Sequence, residues 1–336
     1  MISISYHKTL TPELIQKIDS FGQNHNTIGL HQVLAFTEAM EPQKQVEYCI
    51  SENENKEVIG YCIIHTRFPI AFIQDGPVSK NEKTVSEMIS AIQKHLKNRF
   101  FAFTTIQLPY SKNSLPLFST NYAIAKYFDL PSWSTIIVEI SNAEILLKNF
   151  SKGHHSAIRK AEKSGIIISN DFTEQTIKEF SDLFDVTYKS RNLATQWKNT
   201  ELYFTKLAEM ITNKNGYFVG AYLENKLIAG GVFLANGNTV QYKFGTSNHE
   251  YRSIPLMHSV IYNAMLHAEK QGFTQFDLGG INLEAAEGSQ VQAINTFKKG
   301  FGGTIITSPN RIYLTNNPIS LAIVLLLLKF KKLIRK

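Results

Sequence analysis

Residues 272–303 read Gly272-Phe-Thr-Gln-Phe-Asp-Leu-Gly-Gly280 and, after Thr296, Phe297-Lys-Lys-Gly-Phe-Gly-Gly303. The apolar run predicts a short buried strand, Phe273 to Leu278, ending in a Gly279-Gly280 turn. Gln290 to Lys299 predicts a helix stopped by Gly300 as a left-handed C′ residue. Gly302 and Gly303 then let the backbone turn, and Thr304-Ile-Ile-Thr307 resumes as a strand. Asp277 is thereby expected near the carboxyl end of a strand and Lys298 at the end of the following helix. Open α/β sheets place ligands at such strand ends.

Outward from this stretch the same alternation continues. Tyr217 to Leu223, Leu227 to Leu234 and Thr239 to Gly245 read as two hairpins, with turns at Glu224-Asn225 and Asn236-Gly237-Asn238. Pro255 opens a long helix that ends at Gly272. Upstream, Trp133 to Ile140 and Ile166 to Ser169 read as strands. Ala143 to Phe150, Ser156 to Lys163, Thr173 to Ser190 and Thr200 to Thr212 read as helices. The first 140 residues repeat the theme. Glu47 to Ile50 and Val58 to His65 form a hairpin, Ile70 to Ile73 and Phe101 to Leu108 are strands, and Val85, Met88, Ile89, Ile92 and Leu96 recur at helical spacing. The order of elements predicts two mixed-sheet α/β domains, 1–140 and 141–314, followed by a helix over 315–336.

The composition is that of a globular protein, 43% hydrophobic and 19% charged over 336 residues, and the length suits two domains. A net charge of +7 favours anionic partners: phosphates, nucleic acid or an acidic membrane surface. Cys49 and Cys62 lie in apolar runs and no signal-peptide pattern precedes them, which predicts free thiols and a cytoplasmic setting. The histidines show no metal-ligand spacing, so no metal is expected. At the other end, Ile319 to Leu328 is almost wholly apolar and Lys329, Lys331, Lys332, Arg335 and Lys336 follow. The run is shorter than the ~20 residues that span a bilayer. It reads either as a helix packed on the body or as an interfacial anchor on anionic lipid, peripheral to the inner face of the cell membrane.

Taken in order, several pieces resemble the Fem family (FemABX) of non-ribosomal peptidyltransferases, which includes lipid II:glycine glycyltransferases. They are Asp75-Gly-Pro77, Ser156-Ala-Ile-Arg-Lys-Ala-Glu-Lys-Ser-Gly165, Arg191, Tyr242-Lys-Phe-Gly-Thr-Ser247, Gly272 to Gly280, and Phe297 to Gly303. The resemblance implies two tandem GNAT-like domains, of the acyl-CoA N-acyltransferase type, with the chain end returning to the first. It also implies aminolysis, in which an amine of a peptidoglycan precursor, lipid-linked or nucleotide-linked, attacks the ester carbonyl of an aminoacyl-tRNA. The tRNA is then a co-substrate and no cofactor is expected. Gly29-Leu-His-Gln-Val-Leu-Ala-Phe36 lacks the tryptophan and lysine usual at that place in the family, and no insertion leaves room for a long helical arm.

Residue by residue, Lys298 matches the family lysine that stabilises the oxyanion, and Phe297 the residue whose backbone helps hold the intermediate. A lysine beside a second cation, Lys299, is also chemically fit to serve as a base. Alternatively, Lys298 simply caps the helix dipole. Arg191 matches an arginine that grips the diphosphate of the precursor, where a planar fork bonds two phosphate oxygens; alternatively it is an exposed arginine that ends a helix. Tyr242 and Tyr251 are candidates to line the acceptor channel or to serve as packing, and Asp277 to orient a neighbour or to accept turn N–H groups. Lys152, His154, His155, Arg159, Lys160 and Lys163 form a basic segment, which tracks an RNA or lipid phosphate backbone or is a solvated face. The competing function is an acyl-CoA-dependent N-acyltransferase acting on an amino sugar of a surface polysaccharide. Its pyrophosphate would be held on the loop that opens the long helix, and Tyr251-Arg-Ser-Ile-Pro-Leu256 has no glycine there.

Overall fold

The computed structural model describes residues 2–23, 29–40, 45–108, 121, 124, 134–190, 199–212, 215–307 and 311–334. The chain divides into two compact units, Met1–Ser132 with Thr307–Lys336, and Trp133–Ile306.

The first unit contains β1 (Ser3–His7), α1 (Pro12–Gln23), a 3₁₀ turn (Leu30–Gln32), α2 (Leu34–Met40), β2 (Val46–Glu52), β3 (Val58–Arg67), β4 (Ile70–Gln74), β5 (Val78–Ser79), α3 (Glu82–Lys97) and β6 (Phe103–Gln107). Its sheet runs β1-β2-β3-β4-β6-β14, with β5 on β3, and the closing strand β14 (Ile312–Thr315) arrives from the far end of the chain. One face packs under α3, whose Val85, Met88, Ile89, Ile92 and Leu96 are all buried as their spacing demands. The other face is covered in part by Ile18 of α1 and Leu34 of α2.

The second unit contains β7 (Ser134–Glu139), α4 (Ala143–Asn149), α5 (Lys152–Glu162), β8 (Ile167–Ser169), α6 (Glu174–Ser190), α7 (Thr200–Thr212), β9 (Gly216–Leu223), β10 (Lys226–Asn236), β11 (Thr239–Ser247), α8 (Leu256–Lys270), β12 (Gln275–Ile281), α9 (Gln290–Lys299) and β13 (Thr304–Thr307). The strand order is β13-β7-β12-β11-β10-β9-β8. All pairs with a defined register here are antiparallel except β11 with β12, which α8 joins as a crossover. The two mixed α/β sheets expected from the order of elements are both present.

Three expectations are corrected. The boundary lies near 132 rather than 140, because β7 is a strand of the second sheet. The second unit ends at 306 rather than 314, and the 315–336 segment is no separate unit: β14 pairs with β6, and the last helix, α10 (Pro318–Ile334), belongs with the first unit. The Gly279-Gly280 pair does not end its strand. β12 continues through both glycines to Ile281, because Gly280 and Ile281 still pair with Thr135 and Ser134 of β7. Asp277 is therefore in mid-strand.

Candidate active site

The site begins where β11 and β12 separate. Their parallel pairing covers Thr239–Gln241 against Gln275–Asp277 and stops there, although β11 runs on to Ser247 and β12 to Ile281. Each strand is bulged just past the last pair. On β11 the register against β10 slips between Val232 and Phe233, leaving Lys243 as the extra residue. On β12 the register against β7 slips between Asp277 and Gly280. A bulge bends its strand and adds twist, so two bulges at one level open the sheet. Gly279 is required in the bulge, since its φ is +76° and an added Cβ would lie 3.1 Å from the Tyr242 carbonyl oxygen.

Asp277 is buried at the base of this opening. Its carboxylate accepts the Gly279 N–H at 2.7 Å, the Gln241 side-chain amide at 2.8 Å and the Thr135 hydroxyl. Burial pushes its pKa up, against the pull of those three donors and of the Lys298 charge. The carboxylate thus organises the bulge, which is the turn-accepting role considered for it above.

Lys298 enters from α9. Ser289 caps the start of this helix, accepting the Gln292 N–H, and the buried Asn295 accepts the N–H of Asn282, just past β12. Helix and strand are tied in this way, and the half-buried Lys298 side chain reaches back so that Nζ donates to the Gly280 carbonyl at 2.8 Å. Burial lowers its pKa to about 8, opposed by Asp277. Such an amine is mostly protonated at neutral pH. One of its three protons is held by Gly280, which, among the described residues, leaves two to donate. Lys299 is exposed.

The helix end differs from its sequence reading. Gly300 is not left-handed: its φ is −64°, and the positive φ values fall at Gly302 and Gly303. Gly300 is needed because an added Cβ would lie 1.9 Å from the His154 ring. His154, on the first turn of α5, donates from Nε2 to the Phe297 carbonyl at 2.8 Å. Burial lowers its pKa and favours the neutral ring, so Nδ1 is an acceptor and takes the Ser151 hydroxyl at 3.0 Å. His258 of α8 packs edge-on to both His154 and Phe297, and burial with the His154 ring beside it holds its pKa down to about 4. Phe301 is fully buried among Phe150, His154 and Phe297. The Phe297 backbone is therefore engaged inside the protein, its carbonyl accepting both His154 and the Gly300 N–H.

This assembly carries one expected result. Gly300→Ala must displace the His154 ring, and overpacking of this kind costs about 1–3 kcal/mol. Thermal denaturation should show a clear drop in melting temperature, whereas Gly288→Ala, where an added Cβ meets nothing, should cost only the strain of its φ of +73°.

The structure thus brings together Lys298, Phe297 and Asp277. Tyr242 and Tyr251 are partly buried and pack against the core of the second unit, with Tyr242 stacked on Phe233 at 5.6 Å. Arg191 lies outside the described residues. In the sequence His154 reads only as one member of the basic segment from Lys152 to Lys163. The available signal was burial periodicity: His154, Ile158 and Ala161 fall on one helix face behind the Ser151 cap, and all three are buried.

Comparison with known proteins adds the following. Residues 218–329 match the model of the FemAB family. A lipid II:glycine glycyltransferase of Staphylococcus saprophyticus is 30% identical over 94 residues, which are 28% of this chain and 21% of that protein. The matched stretch is thus about a fifth of that relative's length. The crystal structure of FemX superposes with a TM-score of 0.76 at 16% identity, covering 95% of this chain and 99% of FemX. A tandem GNAT protein from the clavulanic acid biosynthesis pathway superposes at 0.55 with 10% identity, over 95% of this chain and 99% of that one. The fold is that of tandem GNAT proteins.

Proposed function

We propose, from the FemAB-family sequence of residues 218–329 and the tandem GNAT fold that carries it, that this chain is an aminoacyltransferase of the cell envelope. In this reading it moves the amino acid of an aminoacyl-tRNA onto an amine of a peptidoglycan precursor. The observation that supports it most is Lys298, whose half-buried ammonium is held on the Gly280 carbonyl where β11 and β12 part. The acceptor amine attacks the ester carbonyl, and the developing oxyanion takes a proton bond from Lys298 Nζ. Collapse breaks the C–O bond to the ribose. The proton lost by the attacking amine balances the one gained by the leaving ribose oxygen, so the ammonium stabilises charge without being consumed. Asp277 keeps Lys298 charged, and His154 fixes the helix end through the Phe297 carbonyl.

The tRNA donor finds support on α5. Lys152, Arg159 and Lys160, with Lys163 just beyond, are all exposed, and their spacing of seven or eight and then three or four residues puts them along one side of the helix. Replacing these four with Gln should weaken tRNA binding and flatten its salt dependence, by about one unit of log–log slope for each side chain that meets a phosphate. Filter binding across a salt series reads this directly. An unchanged slope makes α5 a solvated face, and tight acetyl-CoA binding with no tRNA binding at low salt replaces the donor with an acyl-CoA.

A further inference from the structure

The first unit carries exposed apolar surface that its own core does not need. α10 has two apolar sides. Leu321, Val324 and Leu325 pack with Ala102, Phe103 and Tyr313. On the other side Ile319, Ile323, Leu326, Leu327 and Phe330 are exposed by 74, 55, 54, 63 and 55%. Their spacing of four, three, one and three residues is that of a single helix face. The helix neither packs wholly on the body nor projects freely: one apolar face is packed on the first unit and the other is exposed.

A second exposed group adjoins the start of α10. Phe68, in the turn between β3 and β4, is 69% exposed, and Phe100, between α3 and β6, is 64% exposed. Backbone hydrogen bonds gather these loops: Ala102 donates to the Pro69 carbonyl at 2.8 Å, and Asn316 and Asn317 both donate to the Ala102 carbonyl, at 3.0 and 3.2 Å. Phe68, Phe100 and Ile319 each stand within two residues of this junction. Arg67 and Lys97 are exposed beside the two phenylalanines, while Arg99 is already paired with the buried Glu47 at 2.6 Å. At the other end of α10 the chain reads Lys329-Phe-Lys-Lys-Leu-Ile-Arg-Lys336, and no acidic residue occurs after Glu287.

We propose that the exposed face of α10 together with Phe68 and Phe100 forms a docking surface for an anionic phospholipid bilayer, with apolar side chains entering the headgroup boundary and the flanking basic residues meeting lipid phosphates. Charge selects this occupant over a second copy of the chain. A pairing of two such faces would bring basic ends together with no carboxylate on α10 to meet them, whereas an anionic lipid surface offsets every one. The contact is interfacial, since no helix among the described residues is long and apolar enough to cross a membrane. The proposal rests on no assignment of the reaction.

The test is co-sedimentation of the full-length protein with vesicles of phosphatidylcholine alone and of phosphatidylcholine mixed with phosphatidylglycerol. Two variants probe the two halves of the surface: Phe68→Ser with Phe100→Ser, and Leu326→Ser with Leu327→Ser and Phe330→Ser. All five positions are more than half exposed, so melting temperatures should stay close to that of the unaltered protein. Truncating α10 would be uninformative, because it also removes Leu321 from the core. The unaltered protein should bind the anionic vesicles and bind the neutral ones at least about tenfold more weakly, as expected where each basic residue adds roughly fivefold. Each variant should lose about tenfold or more on anionic vesicles, two or three large apolar side chains being withdrawn from the interface. Absence of vesicle binding, or equal binding by the variants, overturns the proposal. So does a protein that fails to bind vesicles but forms dimers that the α10 variant breaks, which would make the face a contact between copies.

Discussion

Lys298→Met should lower kcat by about 10²–10³, some 3–4 kcal/mol in the barrier, the usual cost of one lost oxyanion donor. Methionine keeps most of the side-chain volume, and the Gly280 carbonyl that held Nζ lies at the open edge of the parted strands. Lys299→Met is the control, because it removes the same charge from the same helix end at an exposed position and points about 100° away. A difference between the neighbours isolates the ammonium at Gly280 from any effect on the helix dipole, which is worth ~0.3–1 kcal/mol. Stability supplies a second readout. In the folded chain Lys298 releases its proton near pH 8, whereas its ordinary value is 10.5. Between those values the unfolded chain binds more protons than the folded one, so stability rises with pH across this window. Lys298→Met should abolish that rise while Lys299→Met keeps it. The rate should move in the opposite sense. An ammonium donor loses activity as pH climbs through about 8, while a lysine acting as base would gain it.

The second large effect is expected at Asp277. Alanine there leaves the Thr135 hydroxyl, the Gln241 amide and the Gly279 N–H facing an empty, buried space. Breaking a buried charged arrangement from one side costs about 3–5 kcal/mol, enough to unfold much of a marginal domain. Denaturant unfolding of Asp277→Ala should show the midpoint fall accordingly. Asp277→Asn is the milder probe. It keeps the volume and removes the carboxylate that holds the Lys298 pKa up, so the pH at which activity declines should move below about 8. A purely structural Asp277 would lower stability and leave the pH profile of the surviving activity where it was.

These residues differ in how far the sequence revealed them. Strands and hairpins were legible because alternation and turn residues are local: Val58–Arg67, Lys226–Asn236 and Thr239–Ser247 fall within two residues of their expected ends. β1 was not, since Ser-Ile-Ser-Tyr-His is a short edge strand with polar residues on alternate positions. The glycines of the site misled for a tertiary reason. Gly279-Gly280 has the composition of a turn, yet the Asp277 carboxylate satisfies the Gly279 N–H and β7 continues the ladder beyond it. Gly300 has the position of a left-handed cap, yet its need is room for a histidine 146 positions earlier in the chain. Lys298 at a helix end was readable, while its bond to Gly280 depends on a bulge that no local pattern announces. The return of the chain end to the first sheet was implied by family resemblance alone, because Ile312–Thr315 reads like any short strand.

The central claim is that Lys298 serves the transfer of an amino acid from tRNA to an amine. It is tested most directly by mixing the purified protein with tRNA charged with radiolabelled amino acids and with muramyl-peptide acceptors, nucleotide-linked and lipid-linked. The product to follow is label that survives mild alkali, which cleaves the donor ester and spares an amide. Label in the acceptor with the unaltered protein and with Lys299→Met, and about 10²–10³ less with Lys298→Met, is the predicted result. Acetyl-CoA supporting acyl transfer while no charged tRNA does, or Lys298→Met transferring as fast as the unaltered protein, would contradict it.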